Sequence, residues 1–482
     1  MATYNTPGVT VEEISTLPNS VAQVATAIPG FVGYTQIDPG KPVRIASLVE
    51  YEETFGVEEA GYISTKHGIA FQITTSGSGP YTRAVSSATL TKTNFALKAS
   101  LRLYFANGGG PCWVSSAGAF KDGYTNTSID ELEAGLNALE LIDEVTLLLI
   151  PDAIILNTEV LFGSLMQQAL QQCDATGNRF VIMDTWKGAS LTDATTDFRD
   201  QIGTSHLMHG AAYFPHVGRV KRLTDAEVMI AINTDTSTPL QGPSFTKLGN
   251  YNSLADLKTS TDAEIVAMLA DTALMEEIEG HMQTTGVYNT DIGSCGAVAG
   301  VYCAVDRNRG VWKAPANVSL TGYTKLSMKI GEADHGTLNV DATGGKSINA
   351  IRSFTGKGDL VFGARTLDGN SNEWRYVPVR RLFTTVEESV KRASFFSVFE
   401  PNDANTWTKV KAMIENYLAG LWRQGALAGS TPEQAFFVNV GLGTTMVPQD
   451  ILEGNLIVEI GMAAVRPAEF IILRFSHKLQ EA

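Results

Sequence analysis

The side chains that could do chemistry are few and far apart. Gly345-Lys346-Ser347 ends like a phosphate-binding loop, in which backbone N–H groups and a lysine hold phosphate oxygens. That loop needs a glycine at position 340 and a helix after the serine, and position 340 is Val340. Gly441-Leu442-Gly443 opens like a dinucleotide-binding turn, but the third glycine is missing, because position 446 is Met446. His206, His209 and His216 form the chain's histidine cluster and could share one metal ion. They flank the two ends of an expected strand, which favours local packing. Asp152 and Asp184 each end an expected parallel strand, where open α/β sheets place active groups. No histidine, lysine or glycine loop accompanies them, so capping and turn formation is the simpler role. Neither GxSxG nor HExxH occurs. The expectation is a protein that is not an enzyme, with no catalytic residue, no cofactor and no metal set.

The elements that would position any site come next. The 482 residues exceed one core, so about two to four domains are expected. With 44% hydrophobic and 18% charged residues the chain is globular. Its net charge of −15 argues against nucleic-acid or anionic-membrane binding. Four scattered cysteines without a CxxC suggest reduced thiols and a cytoplasmic origin. The first residues lack the pattern of a signal peptide, and no apolar run reaches the roughly 18 residues a bilayer span needs.

Residues 1–20 read as an arm. Turn chemistry at Tyr4 to Gly8 precedes a short alternating strand, Val9 to Ile14, that includes Val11. Ordering about 14 such residues costs on the order of 14–28 kcal/mol of backbone entropy, so the arm needs a sheet to join. Val21 to Thr35 reads as a buried strand pair or a bent strand, Ile45 to Phe55 as a strand and a helical turn, and Phe95 to Phe105 as a helix. From Ile129 to Val217, helices at 129–139, 159–175 and 198–202 alternate with strands at 145–150, 180–184 and 211–214. This predicts parallel βαβ units with right-handed crossovers. Residues 218–287 look like an insertion, with their best helix at 262–281. Gly293 to Asp306 reads as an apolar strand, and Thr321 to Phe362 as β-rich.

In the last third, Thr384 or Thr385 is expected to cap a helix that Pro401 stops. Trp407, Val410, Ile414, Tyr417, Leu418 and Leu421 lie on one face of a second helix, with Gly425 as its left-handed cap. Residues 456–464 and 469–476 read as strands, the latter carrying Phe470, Ile472, Leu473 and Phe475. An apolar terminal strand invites pairing with another chain.

Taken together, these stretches resemble the contractile tail sheath family of bacteriophages, pyocins and related injection systems. YNTPGVTVEEI and the following PNSVAQVATAIPGFVGYT resemble its opening arm and first strand. FANGGGPCWV resembles its Gly-rich segment. Asp306, Gly310, Ala314, Pro315, Ala316 and Asn317 carry its D-x-x-x-G-x-x-x-A-P-A-N passage. VFGARTL and YVPVRR resemble its W-G-A-R-T and Y-V-x-V-R-R stretches, with Phe362 in place of Trp. FEPND, LWRQGAL and PAEFIIL complete the likeness, and residues 60–93 and 218–287 fall outside it.

The resemblance implies an α+β multidomain fold. A linker arm at 1–20 is followed by a β-rich region at 21–95 and an outer α/β domain at 96–365 with a βαβ-type sheet. A C-terminal sheath core at 366–467 and a second arm at 468–482 follow. The two arms would add strands to a sheet shared between subunits, through Val9, Val11, Ile14, Phe470, Ile472, Leu473 and Phe475. The implied function is a structural sheath subunit that polymerises around an inner tube and contracts to drive it through a target envelope. Its partners would be further copies of itself, the inner tube protein, and baseplate and terminal cap proteins, with no nucleic acid and no direct membrane insertion. The protein would be made in a bacterial cytoplasm and become part of a phage tail or injection particle. Arg380, Arg381, Lys391, Lys409, Lys411 and Arg423 would hold the inner tube. An α/β enzyme using Asp152 or Asp184, or a stand-alone adhesin, are the other two readings of the chain.

Overall fold

A computed structural model describes residues 21–57, 70–74, 86–87, 95–120, 127–222, 229–233 and 287–470, with a few isolated positions between 258 and 276. The expected strand of residues 9–14, all but three positions of the helix of 262–281 and the terminal residues Ile472, Leu473 and Phe475 lie outside these. The chain divides into two compact units. One takes residues 1–24 and 382–482, the other residues 25–381.

The larger unit is built on one mixed sheet. In chain order its strands and those of two smaller sheets are β1 (Pro29–Thr35), β2 (Val43–Ile45), β3 (Ala70–Thr74), β4 (Ser86–Ser87), β5 (Cys112–Ala119), β6 (Leu147–Leu149), β7 (Phe180–Asp184), β8 (Gly210–Phe214), β9 (Val217–Arg222), β10 (Met229–Asn233), β11 (Val287–Ile292), β12 (Val318–Ser319), β13 (Lys325–Leu326), β14 (Ile348–Phe354) and β15 (Gly358–Val361). The sheet order is β12-β15-β14-β8-β7-β6-β1-β5-β2. The six strands from β14 to β5 run parallel, and antiparallel strands close both edges. The sheet therefore draws on segments from both sides of position 95. Its parallel part has β1 between β5 and β6, the strand reversal at which open α/β sheets form a crevice.

Period-2 alternation on these strands is hidden because both faces are buried, so each reads as a continuous apolar run. Phe31, Val114, Leu147, Leu149, Ile182, Ala211 and Tyr213 face one core. Val32, Leu148, Val181, Met183, Ala212 and Phe214 face the other. Helices α2 (Leu97–Ala106) and α5 (Cys295–Arg309) cover the first face; α3 (Asp130–Glu140) and α4 (Glu159–Thr176) cover the second. Helix α1 (Leu48–Phe55) and α6 (Glu332–Asn339) also belong to this unit.

Residues 293–306, expected as a strand, belong to helix α5. Its mean face is apolar all round and it is buried from Cys295 to Cys303, so no helical period shows in the sequence. Its small residues set the packing: a Cβ at Gly296 would lie 2.2 Å from Ser100 Oγ, and one at Gly300 would lie 2.5 Å from the Tyr104 carbonyl oxygen. Gly331, expected in a turn, is the N-cap of α6. The two segments outside the family likeness pair with each other: β3 lies parallel to β10, with β4 on its other side. The antiparallel strands β9 and β11 bracket the second segment.

The smaller unit holds most of helix α7 (Val377–Ala393), helix α8 (Ala404–Arg423) and a hairpin of β16 (Phe436–Val440) and β17 (Val458–Met462). Helix α7 starts well before the expected caps. Pro378 occupies its first turn, where a missing N–H costs nothing, so Thr384 and Thr385 lie inside the helix. It ends at Ala393, before Pro401. Helix α8 buries Val410, Met413, Ile414, Leu418 and Leu421, with Asp403 accepting from Asn405 N and Thr406 N at its start and Gly425 at φ 82° after its end. The strand expected over 456–464 is β17. Glu469 and Phe470 lie in no strand. Among the described residues, no helix is long and apolar enough to cross a membrane.

Candidate functional site

In the smaller unit, the β16–β17 hairpin leaves both of its outer edges unpaired among the described residues. β16 and β17 pair antiparallel from Phe436 opposite Met462 to Val440 opposite Val458. Among the described residues no third strand joins them. A two-stranded sheet is marginal by itself, and this one rests on helix α8, towards which Val438 is buried at 2% exposure. Gly461 faces Phe437, and a Cβ there would sit 2.1 Å from the phenyl ring. The ring lies over the glycine and covers backbone that no side chain of its own protects. Phe437 itself remains 49% exposed. Among the described residues, nine exposed large apolar side chains lie in this unit, from Phe395 to Phe470, against seven in the other. Phe470, expected on the C-terminal arm, is 69% exposed.

The six basic residues expected at an inner tube divide into two groups. Lys391, Lys409 and Arg423 are exposed and Lys411 is half-exposed. Lys391 and Arg392 share Glu388 at 3.6 and 2.5 Å, and Lys411 lies 3.7 Å from Glu415. Arg380 and Arg381 are buried, at 6% and 3% exposure. Arg380 stacks over the Trp374 ring at 4.4 Å. Arg381 donates to both oxygens of Asp306 at 3.0 and 2.6 Å and to the Thr26 carbonyl at 3.0 Å, and it lies over the Tyr302 ring at 4.8 Å. These two arginines have no surface to present, so they drop out of the expected contact. The Tyr302 hydroxyl in turn meets that of Tyr213 at 2.7 Å. Sequence gave no sign of this cluster, because Asp306 and Arg381 are 75 residues apart.

The residues singled out for chemistry turn inward. Asp152 sits at the β1/β6 reversal, fully buried, and accepts from Tyr34 N at 2.7 Å, Leu97 N at 3.1 Å and Ala96 N. Burial pushes its carboxyl up to about 7, against the pull of these three donors. The crevice that a ligand would enter in other open sheets thus holds the chain's own carboxyl, set at the start of helix α2. Gly33 is needed for that approach, since a Cβ there would lie 2.5 Å from Asp152 Oδ2. Asp184 does the same for helix α5, accepting from Cys295 N at 2.8 Å and Ser294 Oγ at 3.2 Å. Burial raises its carboxyl too. Two of the histidines converge on one carboxylate: His206 Nδ1 and His209 Nε2 are each 3.2 Å from Asp174. His216 meets the Thr185 carbonyl at 2.9 Å instead. Lys346 is buried and donates to the Arg199 carbonyl, while Arg199 Nε donates back to the Lys346 carbonyl at 2.9 Å. Strand β14, not a helix, follows Ser347. Gly441 and Gly443 shape a tight turn closed by Met446 N donating to the Gly441 carbonyl.

Comparison with known proteins agrees with a structural role. The family described as Phage tail sheath C-terminal domain matches residues 369–478. The tail sheath protein of Vibrio phage KVP40 is 24% identical over 184 residues, which is 37% of this chain. That stretch is 26% of the phage protein, so the match takes in about a quarter of the curated relative's length. Two solved structures align over nearly all of both chains. The sheath complex of an extracellular contractile injection system, PVC, in its contracted state is 29% identical, with a TM-score of 0.63, and covers 99% of each chain. The helical sheath of the anti-feeding prophage, AFP, in its contracted state is 30% identical, with a TM-score of 0.61, and covers 99% of this chain and 100% of that one.

Proposed function

This chain belongs to the contractile tail sheath family, and on that premise we propose that it polymerises around an inner tube in a metastable extended state and contracts to drive the tube through a target envelope. Its relatives are sheath proteins of phage tails and injection systems. The observation that carries the reading is the β16–β17 hairpin, which pairs with no third strand among the described residues. Residues 4–14 of one copy and 469–477 of another would extend it by strand addition. A head-to-tail contact of this kind generates an open helical array. The work of contraction is the difference between two sets of contacts between copies, summed over many copies. Baseplate and terminal cap proteins would bound the array, and Lys391, Lys409, Lys411 and Arg423 would face the tube.

The test is negative-stain microscopy of the protein with and without residues 2–20, in the presence of its tube. Sheathed tubes formed by the full chain and lost on deletion are the expected result. Sheaths that form equally well without the arm would overturn the strand-exchange reading.

A further inference from the structure

We propose that Phe399, with Phe395 and Val398, is an apolar anchor that packs against a neighbouring copy of this chain, separate from the exchanged strands. The inference rests on the reading of this chain as a polymerising sheath subunit.

Its starting point is a local conflict in the smaller unit. After helix α7, one turn of 3₁₀ helix at Ser394–Ser397 leads into a tight turn, closed by Glu400 N donating to the Ser397 carbonyl at 3.2 Å. Val398 has φ −68° and ψ 126°, and Phe399 has φ 69°. These are the angles of a type II turn, whose third position needs positive φ and favours glycine or asparagine. A bulky side chain at that position is sterically disfavoured. Packing among the described residues does not compensate, because Phe399 is 103% exposed, Phe395 77% and Val398 51%. The turn is nevertheless held in place. Just after Pro401, Asn402 donates to the Asn455 carbonyl at 3.0 Å and accepts from the Trp407 indole at 2.6 Å.

Two observations choose the occupant. First, the Asn402–Asn455 bond ties the turn to the segment that enters β17 at Val458, so the patch is continuous with the hairpin that would receive strands from other copies. Second, the chain carries a net charge of −15, so copies repel each other at long range. Long-range charge does not draw copies together, so backbone pairing and buried apolar surface of this kind supply attraction between them. In a helical array the patch meets a different surface on its neighbour, not its own equivalent.

The experiment places a photo-crosslinking phenylalanine analogue at position 399 in assembled particles, and tests Phe399→Gly beside it. The expected crosslink joins two copies of this chain. Glycine suits the φ of 69°, so Phe399→Gly should melt at the same temperature as the natural chain or higher, while the yield of assembled sheath falls at least about tenfold. A crosslink to the tube protein, or none, overturns the proposal, and so does normal assembly of Phe399→Gly. Entry of the unaltered chain into particles separately carries the sheath reading, and the arms remain intact in every variant used here.

Discussion

Arg381 and Asp306 form a doubly hydrogen-bonded ion pair with each side chain 4% exposed. Such a pair is held by its own geometry, and removing one partner leaves a buried charge without compensation. Asp306→Ala should destabilise the chain by about 3–5 kcal/mol, read as a loss of melting temperature. Asp306→Leu combined with Arg381→Met should recover much of that loss. If the double variant is no better than the single one, the pair has a role beyond mutual neutralisation.

Asp152 predicts a pH dependence with a definite sign. Its carboxyl is pushed up to about 7 by burial, from an ordinary value of 3.8. Between those values the folded chain keeps a proton that the unfolded chain has lost. Its contribution is therefore fully present below about pH 4 and falls as the pH rises to 7. Asp152→Asn should abolish that slope in denaturant titrations at several pH values. It should also lower stability, because its amide N–H₂ or its single carbonyl must face three backbone donors.

Gly300→Ala offers a test by reversal of sign. In an exposed helix interior this change stabilises by about 0.5–1 kcal/mol. Here the added carbon would meet the Tyr104 carbonyl oxygen at 2.5 Å and Asn107 Cβ at 2.9 Å. Backbone cannot swing aside, so a loss of about 1–3 kcal/mol is expected from chemical denaturation.

Reversing Lys391, Lys409, Lys411 and Arg423 together to Glu should leave the melting temperature within a few degrees, since exposed pairs contribute about 0–1 kcal/mol each. Co-sedimentation of sheath with its tube should fall strongly. Unchanged co-sedimentation would remove these four residues from the tube contact.

What the sequence revealed depends on where pattern meets burial. The βαβ run from Ile129 to Phe214 was legible because its helices keep one wet face. Helix α8 was legible for the same reason, through Val410, Ile414, Leu418 and Leu421. Helix α5 was not, since Gly296, Gly300 and Ala304 face other backbone and no polar face marks the period. The start of α7 was missed because Val377-Pro378-Val379 looks extended until Pro378 is placed in a first helical turn. Asp184 was correctly located at the end of β7, while Asp152 lies in the 3₁₀ turn after β6; their partners include backbone N–H groups that no sequence motif announces. Arg380 and Arg381 looked like surface charges because arginine alone does not announce burial: Arg380 stacks on Trp374 six residues earlier, and Asp306, which pairs Arg381, lies 75 residues away.

The pairing of β3 with β10 joins two stretches more than 150 residues apart, Ala70–Thr74 and Met229–Asn233, both outside the family likeness. They amount to one exchangeable module entered through two doors. Anyone transplanting either stretch onto another scaffold would have to move both together, because a graft of one alone would arrive with half of its ladder missing.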